Sequence, residues 1–280
     1  MRIEEISDEK SAAEYEDIIG QDLVNDLSRR FFKGLVALDD DGSCHGAVVY
    51  ELLDVDADTD IKSRIRLLVG DNDEIKEQLE VEYKKAVSEE EVAKSFFETS
   101  ENEVASFFEK IGFSKASVES RELRFTVGEL DKLPINRKAK MPDYIKSLSD
   151  VSVIQYRNFV KRVLIKGNKG TVEDLAYLPM TWFERDVSSC SISDDKIDGI
   201  LLVRRTPSGE LHPQLYTAFG PEYVKCLGFM LVKTVNYVME NYSPDTKVVI
   251  YRHNKEIITL THKLLSGYKG DEIFMGSRDE

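Results

Sequence analysis

Asn102-Glu103-Val104-Ala105-Ser106-Phe107-Phe108-Glu109-Lys110-Ile111-Gly112-Phe113 is the stretch on which the reading of this chain turns. It predicts a short helix closed by a glycine cap, with an aromatic residue making the hydrophobic contact beyond it. A weaker echo stands near the other end: Asn254-Lys255-Glu256-Ile257-Ile258-Thr259-Leu260-Thr261-His262-Lys263-Leu264-Leu265-Ser266-Gly267-Tyr268. Two helices that end on Gly-aromatic point to one architecture used twice.

The elements around each stretch support duplication. The first half reads as a strand at 2–6 and a helix entered through Ser7-Asp8-Glu9, continuing to about 30 with a break near Gly20. Strands follow at 32–38, 44–53 and 61–69, the first turn carried by Asp41-Gly42. Gly70-Asp71-Asn72-Asp73 breaks the chain before a charged helix at 74–87, a strand at 93–98, the helix at 102–111, and one or two strands over 117–129. The segment 130–140 holds Pro134 and few large apolar residues, and it reads as a linker leading to a tether or short helix at 141–149. The second half predicts helices at 151–165 and 171–183, strands at 188–193, 197–205 and 211–218, a long apolar helix at 222–241, a strand at 247–251, a helix at 255–265 and a short last strand at 272–275. Strand, helix, strand, helix, strand closes both halves. The expected domains are 1–132 and 145–280, joined by a linker at 133–144.

Bulk properties fit this division. A chain of 280 residues suits two domains of ordinary size, and 41% hydrophobic with 32% charged residues is a globular composition. No apolar run approaches the roughly 20 residues needed to cross a bilayer, so no membrane partner is expected. The beginning of the sequence lacks the apolar core of a signal peptide. Cys44, Cys190 and Cys226 are odd in number and far apart, which suits a reducing cytoplasm and builds neither a disulfide frame nor a zinc site. Asp54, Asp56, Asp58 and Asp60 lack the glycine and closing glutamate of a calcium loop and read as a solvated hairpin tip. The net charge of −14 lies wholly in residues 1–140; residues 141–280 balance to zero. Nucleic acid, bound through Lys and Arg on phosphates, is not an expected partner. A phosphorylated cofactor would meet repulsion in the first half and find the second the better host.

Phe107-Phe108-Glu109-Lys110-Ile111-Gly112-Phe113 resembles the last-helix motif of the GCN5-related N-acetyltransferase (GNAT) family, which runs Phe-Tyr-x-Lys-Leu-Gly-Phe. The resemblance extends in tandem over nearly the whole chain outside the linker. It implies an α/β fold of two domains, each a mixed, mostly antiparallel sheet flanked by helices, with the sheet splayed between its central strands to admit the arm of coenzyme A. It implies acetyl-CoA or another acyl-CoA as co-substrate and an amine acceptor; His253 and His45 have no partner at ligand spacing, so no metal is expected. The tyrosine that often protonates the departing thiolate in that family is Phe108 here, and a phenyl ring has no proton to give. The family's glycine-rich turn, which lets backbone N–H groups approach the pyrophosphate, resembles Gly220-Pro221-Glu222-Tyr223-Val224-Lys225-Cys226-Leu227-Gly228, without its arginine and two inner glycines. The equivalent place in the first half, Gly70-Asp71-Asn72-Asp73-Glu74, would face the phosphates with three carboxylates and reads as a structural copy.

On this resemblance the cofactor-binding candidates are Tyr223, Lys225, Cys226, Leu227, Gly228 and Asn254, with Lys225 as a point charge for a phosphate. The catalytic candidates are His212, on the central strand where a base for the amine is often kept, and His262, beside the tyrosine position and able to donate near neutral pH. The expected activity is acyl transfer from acyl-CoA to an amine. The rival expectation is a binding or scaffolding protein that kept the fold and lost the cofactor. A third arrangement, one site built by both domains, would make the acidic first half a recognition face for a cationic amine.

Overall fold

The computed structural model describes residues 1–6, 8–55, 59–165, 174–252, 255–265 and 267–280. The chain forms two compact units, Met1–Ser120 with Glu272–Glu280, and Arg121–Asp271.

The first unit contains β1 (Arg2–Ile6), the short helices α1 (Glu9–Ala12), α2 (Glu16–Ile19) and α3 (Gln21–Asp26), then β2 (Phe32–Leu38), β3 (Cys44–Leu53), β4 (Lys62–Gly70), α4 (Asp73–Glu89), β5 (Lys94–Thr99), α5 (Asn102–Lys110) and β6 (Ala116–Glu119). Asp8 caps α1, accepting from the Ser11 N–H, and Gly20 at φ +85° separates α2 from α3, so the expected long helix is a series of short ones. The two-residue period of the strands gives each face its own core. Val48, Tyr50 and Leu52 pack with Leu79, Tyr83 and Val87 of α4 and with Phe107 and Phe108 of α5. Ala47, Val49, Val36 and Leu38 pack on the other face with Ala12, Ile19 and Val24.

The second unit contains β7 (Glu122–Thr126), β8 (Ile145–Ser147), α6 (Val153–Ile165), β9 (Ser189–Ser193), β10 (Lys196–Arg205), β11 (Leu211–Ala218), α7 (Tyr223–Asn241), β12 (Lys247–Tyr251) and α8 (Lys255–Leu264). Ile200 and Leu202 face Tyr156, Phe159 and Val163 of α6. Leu201 and Val203 face Val235 and Val238 of α7. The last strand, β13 (Glu272–Asp279), belongs to the first unit.

The strand orders are β1-β2-β3-β4-β5-β13-β6 and β7-β12-β11-β10-β9-β8. The expected mixed, mostly antiparallel sheets flanked by helices are therefore present in both units. Each sheet has one parallel step at its centre, β4–β5 and β11–β12. The β4–β5 register runs only from Lys62↔Lys94 to Ile65↔Phe97, although β4 continues to Gly70. The β11–β12 register holds at one pair, Leu211↔Val248. Both central strands carry an extra residue at the place of parting. Tyr50 pairs with Ile65 and Val49 with Leu67, which leaves Arg66 unpaired; Leu202 pairs with Leu215 and Val203 with Pro213, which leaves Gln214 unpaired. Such bulges bend a strand and increase its twist. The sheets accordingly open between their middle strands, as expected.

Other expectations are corrected. The boundaries at 132 and 145 do not match the compact units, because β7 joins the second sheet and β13 the first. β13 is also longer than the strand expected at 272–275, since both of its edges are paired. The expected linker is a packed part of the second unit: Leu133, Ile135, Met141 and Tyr144 lie on its core. Arg137 is fastened to Asn236, its Nε donating to Oδ1 at 3.1 Å while the amide Nδ2 donates back to the Arg137 carbonyl at 3.0 Å. The part of 171–183 that the structure describes is a turn and a single 3-10 turn, Met180–Trp182, in place of a helix. Pro179 supplies the reason, having no N–H for a helical bond and disfavouring helical geometry at Leu178. Gly167-Asn168-Lys169-Gly170 and Thr171 lie outside the described residues.

Gly276 sits where no side chain fits. A Cβ there would lie 1.8 Å from the Ser114 carbonyl oxygen and 2.6 Å from the Phe97 ring. Gly276→Ala is expected to lower stability by roughly 1–3 kcal/mol or more, read as a reduced urea midpoint. A chain ending at Asp271 loses six register pairs on β5 and four on β6. It should show no cooperative unfolding of the first unit, and retention of that transition would contradict the strand assignment.

Candidate functional site

The parting of β11 from β12 places a hollow at the centre of the second unit. It is a cavity of about 130 Å³ lined by Pro213, Gln214 and Tyr216 of β11, Ile250 and Tyr251 of β12, and facing residues of α7 and α8. Outside it lies a wider groove of about 720 Å³ between the start of α7 and one face of α8. Tyr223, Val224, Lys225, Leu227 and Gly228 form one wall; Ile257, Leu260 and Lys263 form the other; Asn136 and Ala139 edge it. Tyr216, Leu231, Ile257, Leu260 and Leu264 line both spaces, so the two are adjacent.

The helix start beside the groove has anion-binding character. Gly220 takes φ +92°, a conformation natural to glycine, and lets the chain turn from β11 into α7. Glu222 occupies the N-cap without a side-chain hydrogen bond to the first turn. The positive end of a 19-residue helix is thus left uncapped by a side chain. Among the described residues Lys225 pairs with Glu222 at 3.3 Å, both exposed, an i,i+3 contact of small energy. That pairing holds its ammonium above the usual lysine range. A Cβ added at Gly228 would meet nothing within 4 Å, so the backbone there is open to close approach.

The inner cavity differs chemically. Among the described residues its lining includes no His, Asp, Glu, Lys or Arg. The Tyr216 hydroxyl donates to the Leu227 carbonyl at 2.6 Å, and burial pushes its pKa up. The Thr261 hydroxyl donates to the Ile257 carbonyl at 2.8 Å, and the Thr234 hydroxyl to the Val187 carbonyl at 2.9 Å.

Four of the residues singled out in the sequence, Tyr223, Lys225, Leu227 and Gly228, therefore meet on one groove wall. Cys226 does not line it; its sulfur accepts a hydrogen bond from Ser191 Oγ at 3.4 Å. Asn254 lies outside the described residues. His212 stands beside the closed end of the gap, next to the Leu211↔Val248 pair, with Nε2 3.2 Å from Glu210 Oε2. Glu210 is also 3.4 Å from Arg124 and 3.7 Å from Lys247. His262 is exposed on α8, and neither histidine lines the cavity or the groove. Lys263, Tyr216 and Asn136 were not singled out. Lys263 was legible as sharing a helix face with Ile257 and Leu260, at three-residue spacing. Asn136 carried no signal, because its segment read as a linker.

The first unit fills the corresponding place with its own side chains. Asn72 caps α4, its side chain accepting from the Ile75 N–H at 3.0 Å. The Asp71 N–H donates to the His45 carbonyl at 3.0 Å. Lys110 of α5 reaches Glu77 at 2.8 Å and Asp73 at 3.5 Å on α4, closing one helix on the other. Phe108 stacks on Phe97 with centroids 4.1 Å apart. Beside this turn the His45 imidazole lies between Asp71 (2.7 Å) and Asp39 (3.1 Å). Among the described residues no helix is long and apolar enough to cross a membrane, and no group of three or more His, Cys, Asp or Glu is arranged to hold a metal ion.

No protein-family model matches the sequence, and no curated protein matches it. Solved structures do. The chain has the tandem GCN5-related N-acetyltransferase fold. Over 99% of its length it is similar to a tandem GNAT protein from the clavulanic acid biosynthesis pathway, covering 98% of that chain with a TM-score of 0.64 at 11% identity. It is similar as well to a probable N-acyltransferase of unknown function from Enterococcus faecalis V583 (TM-score 0.55, 11% identity, 99% of this chain and 72% of that one). A GCN5-related N-acetyltransferase from Kribbella flavida gives a TM-score of 0.52 at 10% identity, over 99% of this chain and 71% of that one.

The carboxylates of Asp71 and Asp39 raise the pKa of His45, through hydrogen bonds that favour the charged ring. A raised folded-state pKa means that the imidazolium contributes stability in full below the ordinary value near 6.5, and that this is lost as pH rises through the folded-state value. An NMR titration should place His45 above 6.5 and return it toward that value in Asp71→Asn. A wild-type value at or below 6.5 would contradict the geometry.

Proposed function

We propose that the second unit binds an acyl-CoA and transfers its acyl group to an amine, and that the first unit is a structural copy without a usable coenzyme site. The observation that carries this reading is the open gap between β11 and β12, adjoining a groove at the uncapped start of α7. The fit to coenzyme A is chemical. The α7 N–H groups, Lys225 and Lys263 suit phosphates, the open backbone at Gly228 suits close approach, and the long groove suits an extended arm. In the first unit the Asn72 cap, the Lys110 pairs and the carboxylates of Asp71, Asp73 and Glu74 oppose an anion.

The bound thioester supplies the activated carbonyl. The chain's part is to position it, with Lys225 and the helix start holding the phosphate end and the apolar walls excluding water from the reacting end. A neutral amine forms the C–N bond as the C–S bond breaks, and the ammonium proton passes to the departing thiolate or to solvent. Among the described residues the inner cavity holds no His, Asp, Glu, Lys or Arg, which fits an amine that arrives deprotonated. The rate should therefore rise with pH up to the amine's own pKa. The rival reading, a fold that kept its scaffold and lost the cofactor, is favoured by the same lack of a base and by the lost inner glycines.

Thermal unfolding with and without acetyl-CoA separates the two. A ligand at 100 times its dissociation constant adds about 2.7 kcal/mol. The expected result is a clear upward shift, abolished by Lys225→Glu and retained by Asp71→Asn. No shift at millimolar coenzyme would sink the acyl-CoA reading.

A further inference from the structure

We propose that the inner cavity of the second unit receives an apolar acyl chain of about four to six carbons, so that the preferred thioester is a short- to medium-chain acyl-CoA and not acetyl-CoA. This rests on the reading that the groove binds the coenzyme.

The walls give the chemistry. Leu201, Val203, Val235, Val238, Val248 and Leu265 surround the cavity, each at most 6% exposed. The hydroxyls of Tyr216, Thr234 and Thr261 all have protein acceptors, at 2.6, 2.9 and 2.8 Å. A polar ligand would have to break one of these hydrogen bonds or rely on Gln214 and Tyr251, the other polar residues of a lining that is otherwise mostly apolar. Apolar cavities of this kind stay dry and accept hydrocarbon; one of about 150 Å³ holds a benzene ring. At about 130 Å³ the present cavity is slightly smaller. An acetyl group would place a single methyl there and leave most of the space empty.

The two spaces divide the ligand. The amides of the coenzyme arm need hydrogen-bonding partners, which suit the groove edged by Asn136 better than the mostly apolar inner cavity. The thioester then falls at the junction lined by Tyr216, Leu231 and Leu260, with the chain running inward. Chain length, not charge, becomes the property that the site measures.

Calorimetric titration of the full chain with coenzyme A, acetyl-CoA, butyryl-CoA, hexanoyl-CoA and palmitoyl-CoA tests this. Each methylene from acetyl to hexanoyl should tighten binding by about fourfold, the gain from burying one CH₂, and the gain should stop by palmitoyl. Val235→Phe, which fills the cavity, should flatten the hexanoyl-to-acetyl ratio, and Val238→Met is the alternative if that variant does not fold. Equal affinity for acetyl-CoA and hexanoyl-CoA would overturn the chain-length inference while leaving the coenzyme reading intact. Failure of every thioester and of coenzyme A itself would overturn both. Hexanoate binding as tightly as hexanoyl-CoA would also overturn the proposal, assigning the cavity to a free fatty acid.

Discussion

One backbone irregularity governs what this molecule can do: an unpaired residue in the central strand of each sheet, where that strand leaves its parallel neighbour. A continuous parallel pair would bury its amides in the ladder and leave no room between the strands. Arg66 and Gln214 interrupt the antiparallel register on the other edge of their strands, so β4 and β11 bend away from β5 and β12. The proline before Gln214 strengthens the effect, since Pro213 has no N–H to give to any neighbour. The gap follows from these two strands, and the helices only roof it.

The same frame has been put to opposite uses. In the first unit the corresponding helices carry a side-chain cap, an ion-pair clasp between α4 and α5, and stacked phenylalanines. In the second unit the helix start carries no side-chain cap and a hollow remains. The contrast is electrostatic as well, because the first turn carries Asp71, Asp73 and Glu74 while the second carries one carboxylate, Glu222, paired with Lys225. A buried hollow lowers stability, since its lining atoms lack partners. Its presence in the second unit is the main physical ground for the ligand proposed there.

The histidines illustrate how a sequence position can mislead. His212 does lie on the central strand, but two residues before the bulge, on the side where β11 and β12 are still paired. Its neighbours are Glu210, Arg124 and Lys247, a polar cluster apart from the hollow. His262 is adjacent in sequence to Thr261, which lines the cavity, yet one step along a helix turns a side chain by about 100° and leaves the imidazole in solvent.

The elements themselves were legible from local chemistry. Phe32–Leu38, Cys44–Leu53, Leu211–Ala218 and Lys247–Tyr251 fall where apolar runs bounded by turn residues put them. Gly112, at φ +97°, ends α5 as its place before Phe113 implied. The resemblance of 220–228 to the family's turn singled out Tyr223, Lys225, Leu227 and Gly228, which line one groove wall. Local pattern did not reveal sheet membership. β6 and β7 are separated by two residues yet lie in different sheets, and β13 pairs with strands more than 150 residues earlier. Strand pairing is decided by edges that meet only after the chain has folded, and nothing in a short apolar run names its partner. The cavity has the same origin. Each of its walls reads as ordinary core, and only the divergence of two strands across the sheet leaves a space among them.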